Sequence, residues 1–459
     1  MLNWNNLKLD IFKAINNYPL MDSLESSEEI ISLSWSIPHI ELGNLFPSFR
    51  GIQKYFWSNK NGDEYIGLGL CQEYKTDLDI EKLEKLINSS KNKDKKIQAF
   101  ATHLFTKEND TKQVVNNSDW KNFHNSHYIV PMITIKNQSQ ENEQTQVIIC
   151  LKSNQLNNET AKSRTIFKIE SLMALNFDRL KKISIKNTTV LPNRLEWNKM
   201  LLKSEMAIKE KVFNKVVLAR KKVIEVECET LAQNVFLKLL EQKDETNYLF
   251  YWEKEPGKSF LSLSPETLFC KKGNELTLDS LAGTRPRGKT KELDKKLREN
   301  LLRSQKDLNE HNFVSSWIKS NLEEISHNIE TSENVSIVKL KHVQHLHTPF
   351  KSLIKNKVSI IDLINRFHPT PAIGGLPRKE ALQFIKENEA FERGLYSAPL
   401  GLLEYGKAEF CVGIRSAFVS NESISIYGGA GIVIDSDAKE EWNETETKMK
   451  NFTEMFSHE

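Results

Sequence analysis

The alternation of apolar and polar positions along the chain predicts strands in both halves. Tyr128–Ile135 and Gln146–Leu151 alternate with the period of two that is typical of antiparallel strands. Glu64–Gly69 follows a turn at residues 61–63 and predicts the second strand of a hairpin. A short run of aromatic and apolar residues, Tyr248–Trp252, predicts another strand. The chain is therefore expected to contain extended sheets.

Helical patterns are interspersed with these strands. Asp77–Ser89, Trp197–Lys209 and Leu231–Gln242 have the spacing of amphipathic helices, and Glu292–Leu322 is predicted to contain a long helix. Strands and helices mix without a strict βαβ alternation. That mixture is typical of an α+β fold with large antiparallel sheets packed with helices.

A candidate functional helix lies near the C-terminus, with Ser436 or Asp437 as its predicted N-cap. Glu441, Glu444 and Lys448 recur at i, i+3 and i+7 and therefore share one face. Two carboxylates and a lysine on one face can bind a cation and supply a positive charge. A solvated acidic face with a Glu–Lys pair is the alternative explanation of the same pattern.

A glycine-rich segment, Tyr427–Ile432, precedes this helix. Its sequence, Tyr-Gly-Gly-Ala-Gly-Ile, carries few bulky side chains and predicts a turn. A glycine turn before a helix start presents backbone N–H groups to an anion. The segment lacks the third glycine of a dinucleotide fingerprint and follows no βαβ unit, so a nicotinamide cofactor is not expected.

A second acidic pair lies on the long helix predicted within Glu292–Leu322. Asp307 and Glu310 are i, i+3 neighbours there. Two helices that each offer two carboxylates can hold a hard divalent cation, and Mg²⁺ would keep water ligands for a substrate. A solvated surface is again the alternative. However, two acidic pairs on two helices, one of them just after the glycine-rich segment, favour a binding site.

Two further residues are candidates for proton transfer. Lys215 lies in a largely apolar run, where partial desolvation allows a lysine to act as a base. A strand-edge lysine that extends into solvent is the alternative. Glu266 follows a proline turn between apolar strands, where a carboxyl can hold a proton near neutrality and act as a general acid.

Composition and charge narrow the classes of function. The 459 residues include 64 Lys and Arg and 61 Asp and Glu, and a net charge of +3 argues against nucleic-acid binding by bulk electrostatics. The five cysteines are scattered, which suits a reducing compartment and indicates no zinc or disulfide framework. The sequence has no apolar run of 18 residues and no secretory signal, so we expect a cytoplasmic protein without a membrane segment.

Two other motifs fail to match a known function. Gly401–Ala408 nearly fits a phosphate-binding P-loop, but Ala408 replaces the Ser or Thr that binds magnesium and the context predicts a hairpin. His342, His345 and His347 cluster near a predicted strand end. Because His342 faces away from the other two and no cysteine is near, structural or substrate-contacting histidines are expected rather than zinc ligands.

Ten stretches of the sequence carry a resemblance to a known family. They are Lys54–Trp57, Lys215–Arg220, Ser264–Glu266, Leu281–Gly288, Ser304–His311, Val343–Leu346, His368–Arg378, Arg393–Tyr396, Val412–Ala417 and Gly428–Lys448. In this order they resemble the chorismate-utilising enzymes: isochorismate synthases, salicylate synthases, and the large components of anthranilate and aminodeoxychorismate synthases. The resemblance implies a chorismate-binding catalytic region at residues 191–459, with a central active-site cleft. It also implies a variable N-terminal α+β region, residues 1–190, that completes the sheets.

Three positions distinguish members within this family. Lys215 matches the lysine that activates water, where anthranilate synthases carry glutamine. Ala282 stands where aminodeoxychorismate synthases carry a nucleophilic lysine, and Ala372 stands where salicylate synthases typically carry threonine. All three imply an isochorismate synthase, an isomerase that reversibly converts chorismate to isochorismate with magnesium.

The resemblance also implies the parts that individual residues play. Lys215 would take a proton from the water that attacks C2, and protonated Glu266 would donate one to the hydroxyl that leaves C4. Mg²⁺ would be held by Glu310 and Glu444, with further help from an acidic neighbour of each, Asp307 and Glu441. The residues implied to contact the substrate are Gly283, Thr284, His345, Ala372, Tyr396, Ile414, Arg415, Gly429, Gly431 and Lys448.

The resemblance also indicates the pathway and the partners. The long N-terminal region is more similar to the menaquinone-pathway form than to the shorter siderophore-pathway forms. We expect a monomer that binds chorismate, without a glutaminase subunit and without a nucleic-acid or membrane partner. The alternatives are a salicylate synthase, which would also release pyruvate, an isochorismate synthase of a siderophore pathway, and a non-catalytic binding relative.

Overall fold

The structure, a computed structural model, combines helices with two large sheets. It describes residues 4–20, 29–89, 96–106, 119–120, 123–139, 144–177, 183–228, 231–332, 334–339, 343–355, 358–420 and 422–456. The helices within these residues are α1 (Trp4–Asn17), α2 (Leu42–Leu45), α3 (Asp77–Asn88), α4 (Glu159–Leu172), α5 (Arg194–Lys209), α6 (Leu231–Leu240), α7 (Lys291–Arg303), α8 (Gln305–Ile325), α9 (Ile360–Phe367), α10 (Arg378–Asn388) and α11 (Ala438–Thr453).

Strands from along the whole chain make up the two sheets. The first-half strands are β1 (Ile30–Pro38), β2 (Lys54–Ser58), β3 (Glu64–Leu68), β4 (Gln72–Tyr74), β5 (Ala99–His103), β6 (Ser126–Val130), β7 (Ile133–Asn137), β8 (Gln144–Lys152), β9 (Ser184–Leu191) and β10 (Lys215–Glu227). The remaining strands are β11 (Tyr248–Glu255), β12 (Lys258–Ser264), β13 (Thr267–Lys272), β14 (Glu275–Pro286), β15 (Ser326–Thr331), β16 (Ser336–Lys339), β17 (Val343–Ile354), β18 (Gly375–Leu376), β19 (Pro399–Glu404), β20 (Lys407–Val412), β21 (Ser416–Ser420) and β22 (Ser423–Ile432).

The first sheet has twelve strands in the order β1-β8-β7-β3-β2-β11-β12-β21-β22-β10-β18, with β9 beside β10. The second sheet has ten strands in the order β15-β17-β14-β13-β20-β19-β5-β6-β4, with β16 beside β17. Every pairing within the described residues is antiparallel. The predicted α+β class with large antiparallel sheets is confirmed.

Both sheets contain strands from the N-terminal and the C-terminal parts of the chain. In the first sheet β2 pairs with β11, and Trp57 lies opposite Phe250. In the second sheet β5 pairs with β19, and Ala101 lies opposite Gly401. Strands of the N-terminal and C-terminal parts are therefore hydrogen-bonded to each other within both sheets.

An aromatic cluster joins the two sheets face to face. Trp57 and Trp252 from the first sheet are buried with Phe100 and Leu400 from the second. The rings of Tyr55 and Phe100 stack across this interface with centroids 5.1 Å apart. Aromatic side chains bury a large apolar area each, so this layer stabilises the packing of the sheets strongly.

The glycine-rich segment Tyr427–Ile432 is part of strand β22, and the prediction of a turn was wrong. Gly429 lies opposite Ala219 of β10 in the first sheet. The turn comes directly afterwards, where the N–H of Ser436 donates to the carbonyl of Val433 at 3.1 Å. Glycines occur in this strand because α11 and other side chains approach its backbone too closely for a Cβ atom.

The helix predicted within Glu292–Leu322 is interrupted at Ser304. This residue ends α7 and caps α8, where its Oγ accepts the N–H of Asp307 at 3.4 Å. Serine is a favoured N-cap, so the break follows from local chemistry. No helix in the described parts of the chain is both long enough and apolar enough to cross a membrane.

Candidate active site

A cavity of about 420 Å³, here called the central cavity, lies where the two sheets meet α8 and α11. Its walls contain every residue predicted for the site except Lys215, which is linked to the wall through Glu310. The predicted residues that line it are Glu266, Gly283, Thr284, Asp307, Glu310, His345, Ala372, Tyr396, Ile414, Arg415, Gly429, Gly431, Glu441, Glu444 and Lys448.

Lys215 is held inside the protein at the start of β10. Its side chain is 1% exposed, and its Nζ donates to Oε1 of Glu310 at 2.7 Å. The alternative of a lysine extending into solvent is therefore wrong. Gly431 makes room for this side chain, since a Cβ atom at that position would lie 2.8 Å from Cε of Lys215.

Glu266 lies in the turn that joins β12 of the first sheet to β13 of the second. Its carbonyl accepts the N–H of Val412 at 3.0 Å, and its own N–H donates to Oγ of Ser264 at 3.2 Å. Burial raises the pKa of its carboxyl to about 7, with Lys448 opposing the shift most strongly. This carboxyl can therefore carry a proton near neutral pH.

The acidic face of α11 points into the central cavity, so the alternative of a solvated face is wrong. Asp437 caps the helix by accepting the N–H groups of residues 439 and 440. Lys448 Nζ lies 2.6 Å from Oε1 of Glu444 and donates to the carbonyl of Gly429 at 2.9 Å. Burial raises the pKa of Glu441 to about 7, and the nearby charge of Glu444 adds to this.

Acidic side chains of α8 and α11 pair with basic side chains in the central cavity. Arg285 holds Asp307 with two hydrogen bonds, of 3.1 and 2.5 Å. Nζ of Lys306 lies 3.7 Å from Oε1 of Glu441. In the described part of the chain no three His, Cys, Asp or Glu side chains are grouped closely enough to hold a metal ion. The candidate metal ligands share one cavity, and each is paired with a basic side chain: Asp307 with Arg285, Glu310 with Lys215, Glu441 with Lys306 and Glu444 with Lys448.

Arg415 and Tyr396 form a wall suited to an anion. Arg415 is buried, and burial lowers the pKa of its guanidinium to about 10 while Glu444 opposes the shift, so it stays protonated at neutral pH. The ring of Tyr396 stacks on Tyr427 with centroids 5.1 Å apart. Its hydroxyl approaches the backbone of Gly429 so closely that a Cβ atom there would lie 2.7 Å away.

His345 lines the cavity as a neutral imidazole. Its Nδ1 lies 3.2 Å from the carbonyl of Gly283 and 3.1 Å from Oγ1 of Thr284. Burial and the charge of Arg415 lower its pKa to about 3. His347 instead bonds to Oδ1 of Asp279 at 2.8 Å, outside the cavity wall, and His342 lies outside the described residues.

Sequence reasoning missed three basic residues of the site. Arg285 and Lys306 line the cavity and pair with its acids. Arg393 is buried behind the wall, where it donates to the carbonyls of Val217 and Ile373 at 2.7 and 2.8 Å. The position of Lys306 beside a predicted ligand was a usable signal, and so was the i, i+4 spacing of Glu389 and Arg393, which pair at 2.6 Å. The bonds of Arg393 to distant backbone carbonyls leave no local pattern.

The cavity is acidic in its balance of charged groups. Six carboxyl groups line it, against four basic side chains. Two of the six, Glu266 and Glu441, have pKa values raised to about 7. An anionic ligand would therefore need extra positive charge, or protonated carboxyls, to bind here.

Comparison with known proteins identifies relatives of this chain. The chain is 36% identical over 256 residues to isochorismate synthase MenF of Bacillus subtilis, covering 56% of this chain and 54% of that protein. It is 30% identical over 332 residues to isochorismate synthase MenF of Haemophilus influenzae, covering 72% of this chain and 75% of that protein. The match spans only about half the length of several curated relatives.

The fold is similar to a solved structure described as MenF, the menaquinone-specific isochorismate synthase from Escherichia coli. The TM-score is 0.84, with 21% sequence identity and 99% of both chains covered. At this identity the likeness establishes the fold. The profile of the family described as "Chorismate binding enzyme" matches residues 14–457, almost the whole chain. The chain therefore belongs to the family of chorismate-binding enzymes.

Proposed function

We propose that the protein is an isochorismate synthase, an isomerase that adds water at C2 of chorismate and removes the hydroxyl from C4. One observation carries the proposal: the carboxyl of Glu266, which can hold a proton near neutral pH, lines the same cavity as Glu310, the carboxylate to which the buried Lys215 is hydrogen-bonded. Removal of a proton from the water that attacks C2 and donation of a proton to the hydroxyl that leaves C4 need two groups in opposite protonation states. The names of the curated relatives support the same assignment.

Lys215 is the proposed base and Glu266 the proposed acid. Neutral Lys215 takes a proton from the attacking water, and Glu266 gives one to the departing hydroxyl, so one water enters and one leaves. The contact between Lys215 and Glu310 must loosen in the reactive complex, because a lysine engaged as an ammonium cannot accept a proton. After the step Lys215 is protonated and Glu266 is ionised. Lys215 can then act as the acid and Glu266 as the base, so the proposed reaction is reversible.

Mg²⁺ is the proposed cofactor, and Glu310 and Glu444, with Asp307 and Glu441, would hold it. Their oxygen-only donor set suits a hard divalent cation. The excess of carboxyl groups in the cavity supports the need for such a charge. When bound, the ion would offset the negative charge of the substrate and bind its ring carboxylate.

Arg415 and Tyr396 are the proposed anchors of the enolpyruvyl carboxylate, with the backbone of Gly429 and Gly431 beside them. A buried, protonated guanidinium offers strong charge-assisted hydrogen bonds to a carboxylate. Lys448 adds positive charge from α11. The remaining proposed contacts to the ring come from Gly283, Thr284, His345, Ala372 and Ile414.

We propose further that the product feeds menaquinone synthesis and that the protein acts alone, as a cytoplasmic monomer without a glutaminase subunit. The relatives named MenF and the likeness to a menaquinone-specific enzyme support the pathway. Ala282 and Ala372 both line the cavity, where the resemblance implies a nucleophilic lysine or a threonine for other chemistries.

Incubation of the purified protein with chorismate and Mg²⁺ tests the proposal. Chromatography should show isochorismate in equilibrium with chorismate, and removal of Mg²⁺ with EDTA should stop the reaction. Abundant salicylate and pyruvate would establish the salicylate synthase alternative instead. Absence of any chorismate turnover would favour the non-catalytic alternative.

Substitutions test the assignment of the two groups. Lys215→Ala and Glu266→Gln should each reduce kcat by at least about 10²-fold, the usual range for loss of a general acid or base. Lys221→Ala is the matched control, since Lys221 lies on the same strand but pairs with Asp119 at 3.6 Å. Normal turnover by Lys215→Ala would show that another group is the base.

A further inference from the structure

A lysine of the N-terminal part of the chain lies behind the proposed acid. Lys60 is in the turn between β2 and β3, and its Nζ donates to Oγ1 of Thr267 at 2.9 Å. Thr267 directly follows Glu266. The same Nζ lies 3.8 Å from Oδ2 of Asp279 on β14. Lys60 thus contacts the residue next to the acid without lining the central cavity itself.

The turn that carries Lys60 is tightly fixed. Oδ1 of Asn59 accepts the N–H groups of Asn61 and Asp63 at 3.0 and 2.9 Å, and its Nδ2 donates to Glu409 at 3.1 Å. From the other side, Nζ of Lys243 donates to the carbonyl of Asn59 at 3.0 Å. Because its backbone is fixed in this way, Lys60 presents its charge at a defined position.

We infer that Lys60 is a positioning residue for Glu266, which it serves by fixing Thr267 and by placing a positive charge behind the carboxyl. The N-terminal part of the chain thereby completes the acid side of the active site, in addition to its strands in the sheets. The inference deepens the proposed function and rests on it for the catalytic part of Glu266.

The charges around Glu266 agree with this geometry. Its pKa is raised by burial and by Asp279, and it is lowered by Lys448, Lys60 and Lys215. Lys60 in turn is surrounded by acidic groups, since Asp279, Cys411, Glu266 and Glu409 all favour its charged form against the effect of burial. Lys448 pairs with Glu444 and Lys215 pairs with Glu310, and both carboxylates line the central cavity, whereas Lys60 lies outside its wall.

Infrared titration can measure the protonation of Glu266 without any turnover. The absorbance of its protonated carboxyl is isolated by subtracting the spectrum of the matching Glu266→Gln protein in each background. In Lys60→Met, which removes the charge but keeps the length, the midpoint should move up by about 0.5 pH unit. Lys60→Arg should restore the original midpoint. In Asp279→Asn the midpoint should move down, because a negative charge is lost.

Lys243→Met is the matched control, since it removes a lysine bond to the same turn at a site that does not contact Thr267. The inference is overturned if Lys60→Met leaves the midpoint unchanged or if Lys243→Met moves it equally. If Lys60→Met does not fold, Lys60→Gln decides: it also removes the charge while keeping a donor for Thr267, and an unchanged midpoint in that variant would overturn the inference. In the enzyme assay the alkaline limb of kcat/KM should follow the infrared midpoint. Lack of chorismate turnover in the unmodified protein would refute the proposed function while leaving the infrared result intact.

Discussion

Burial of Glu266 makes the stability of the protein depend on pH. Its pKa is about 7 in the fold and has an ordinary value of 4.5. The folded state therefore binds this proton more tightly, so the contribution of Glu266 to stability is fully present below about pH 4.5. It falls by about 3 kcal/mol as the pH rises to about 7.

Glu266→Gln should remove this dependence. Urea-induced unfolding at pH 5 and pH 8 should show the variant gaining stability relative to the unmodified protein at the higher pH, by about 2–3 kcal/mol. Glu440→Gln, a change at an exposed carboxyl, should keep the original slope. An equal difference between Glu266→Gln and the unmodified protein at both pH values would contradict the raised pKa.

Residue types predicted which side chains the fold brings together where the signal is local to a motif. The carboxylates at helical spacing and the carboxyl after a proline turn line one cavity, and the lysine in the apolar run is hydrogen-bonded to one of those carboxylates. Long-range pairing of polar side chains was less accessible to sequence reasoning. The partners of Lys215 and Asn59, for example, lie 95 and 350 residues away along the chain, so only the folded sheets bring them together.

The glycine-rich segment Tyr427–Ile432 lies in strand β22 and not in a turn. A turn was predicted because clustered glycines usually mark turns and loops. In the fold they are needed for close packing, since α11 covers Gly428 and the side chain of Lys215 covers Gly431. The segment thus lines the central cavity, but the secondary structure predicted for it was wrong.

Two alanine substitutions in β22 should have different consequences. At Gly431 a Cβ atom would meet the flexible end of Lys215, at 2.8 Å from Cε. At Gly428 it would lie 2.8 Å from the backbone carbonyl of Thr445, which cannot move without shifting α11. Gly431→Ala should reduce kcat by about 10²-fold with stability nearly unchanged. Gly428→Ala should reduce the free energy of unfolding by about 1–3 kcal/mol.

Turnover assays and urea denaturation of both variants separate these effects. The two positions serve as controls for each other because they lie on the same strand three residues apart. Loss of stability in Gly431→Ala as large as in Gly428→Ala would show that Lys215 is as rigid as the helix backbone, contrary to this expectation.

The N-cap of α11 gives a second prediction at the scale of an element. Asp437 accepts the N–H groups of residues 439 and 440, and the helix it begins carries Glu441, Glu444 and Lys448. Asp437→Ala should lower stability by about 1 kcal/mol, as is typical for loss of such a cap. Asp437→Asn should restore most of it, because asparagine caps nearly as well. Thermal denaturation measures both changes, and equal losses in the two variants would argue against a capping contribution.

At the scale of the whole molecule, strand pairing links the two regions that the resemblance implies. These are an N-terminal region, residues 1–190, that completes the sheets, and a chorismate-binding catalytic region, residues 191–459. Strand pairing crosses that boundary in both sheets, at β2 with β11 and at β5 with β19. The aromatic cluster between the sheets crosses it as well. Such long-range pairing depends on the complete topology and has no local sequence signal.

A protein consisting of residues 191–459 alone should therefore fail to fold as a soluble unit. Without the preceding residues, β11 and β19 would each lose a paired neighbour and expose hydrogen-bonding edges, which promote aggregation. Trp252 and Leu400 would lose Trp57 and Phe100 from the buried layer between the sheets. Size-exclusion chromatography and circular dichroism should show aggregated or poorly ordered material.

Co-expression with residues 1–190 should recover soluble complex and chorismate turnover, because the missing strands and Lys60 return together. A soluble fragment 191–459 that unfolds cooperatively and turns over chorismate on its own would instead establish an independent catalytic domain.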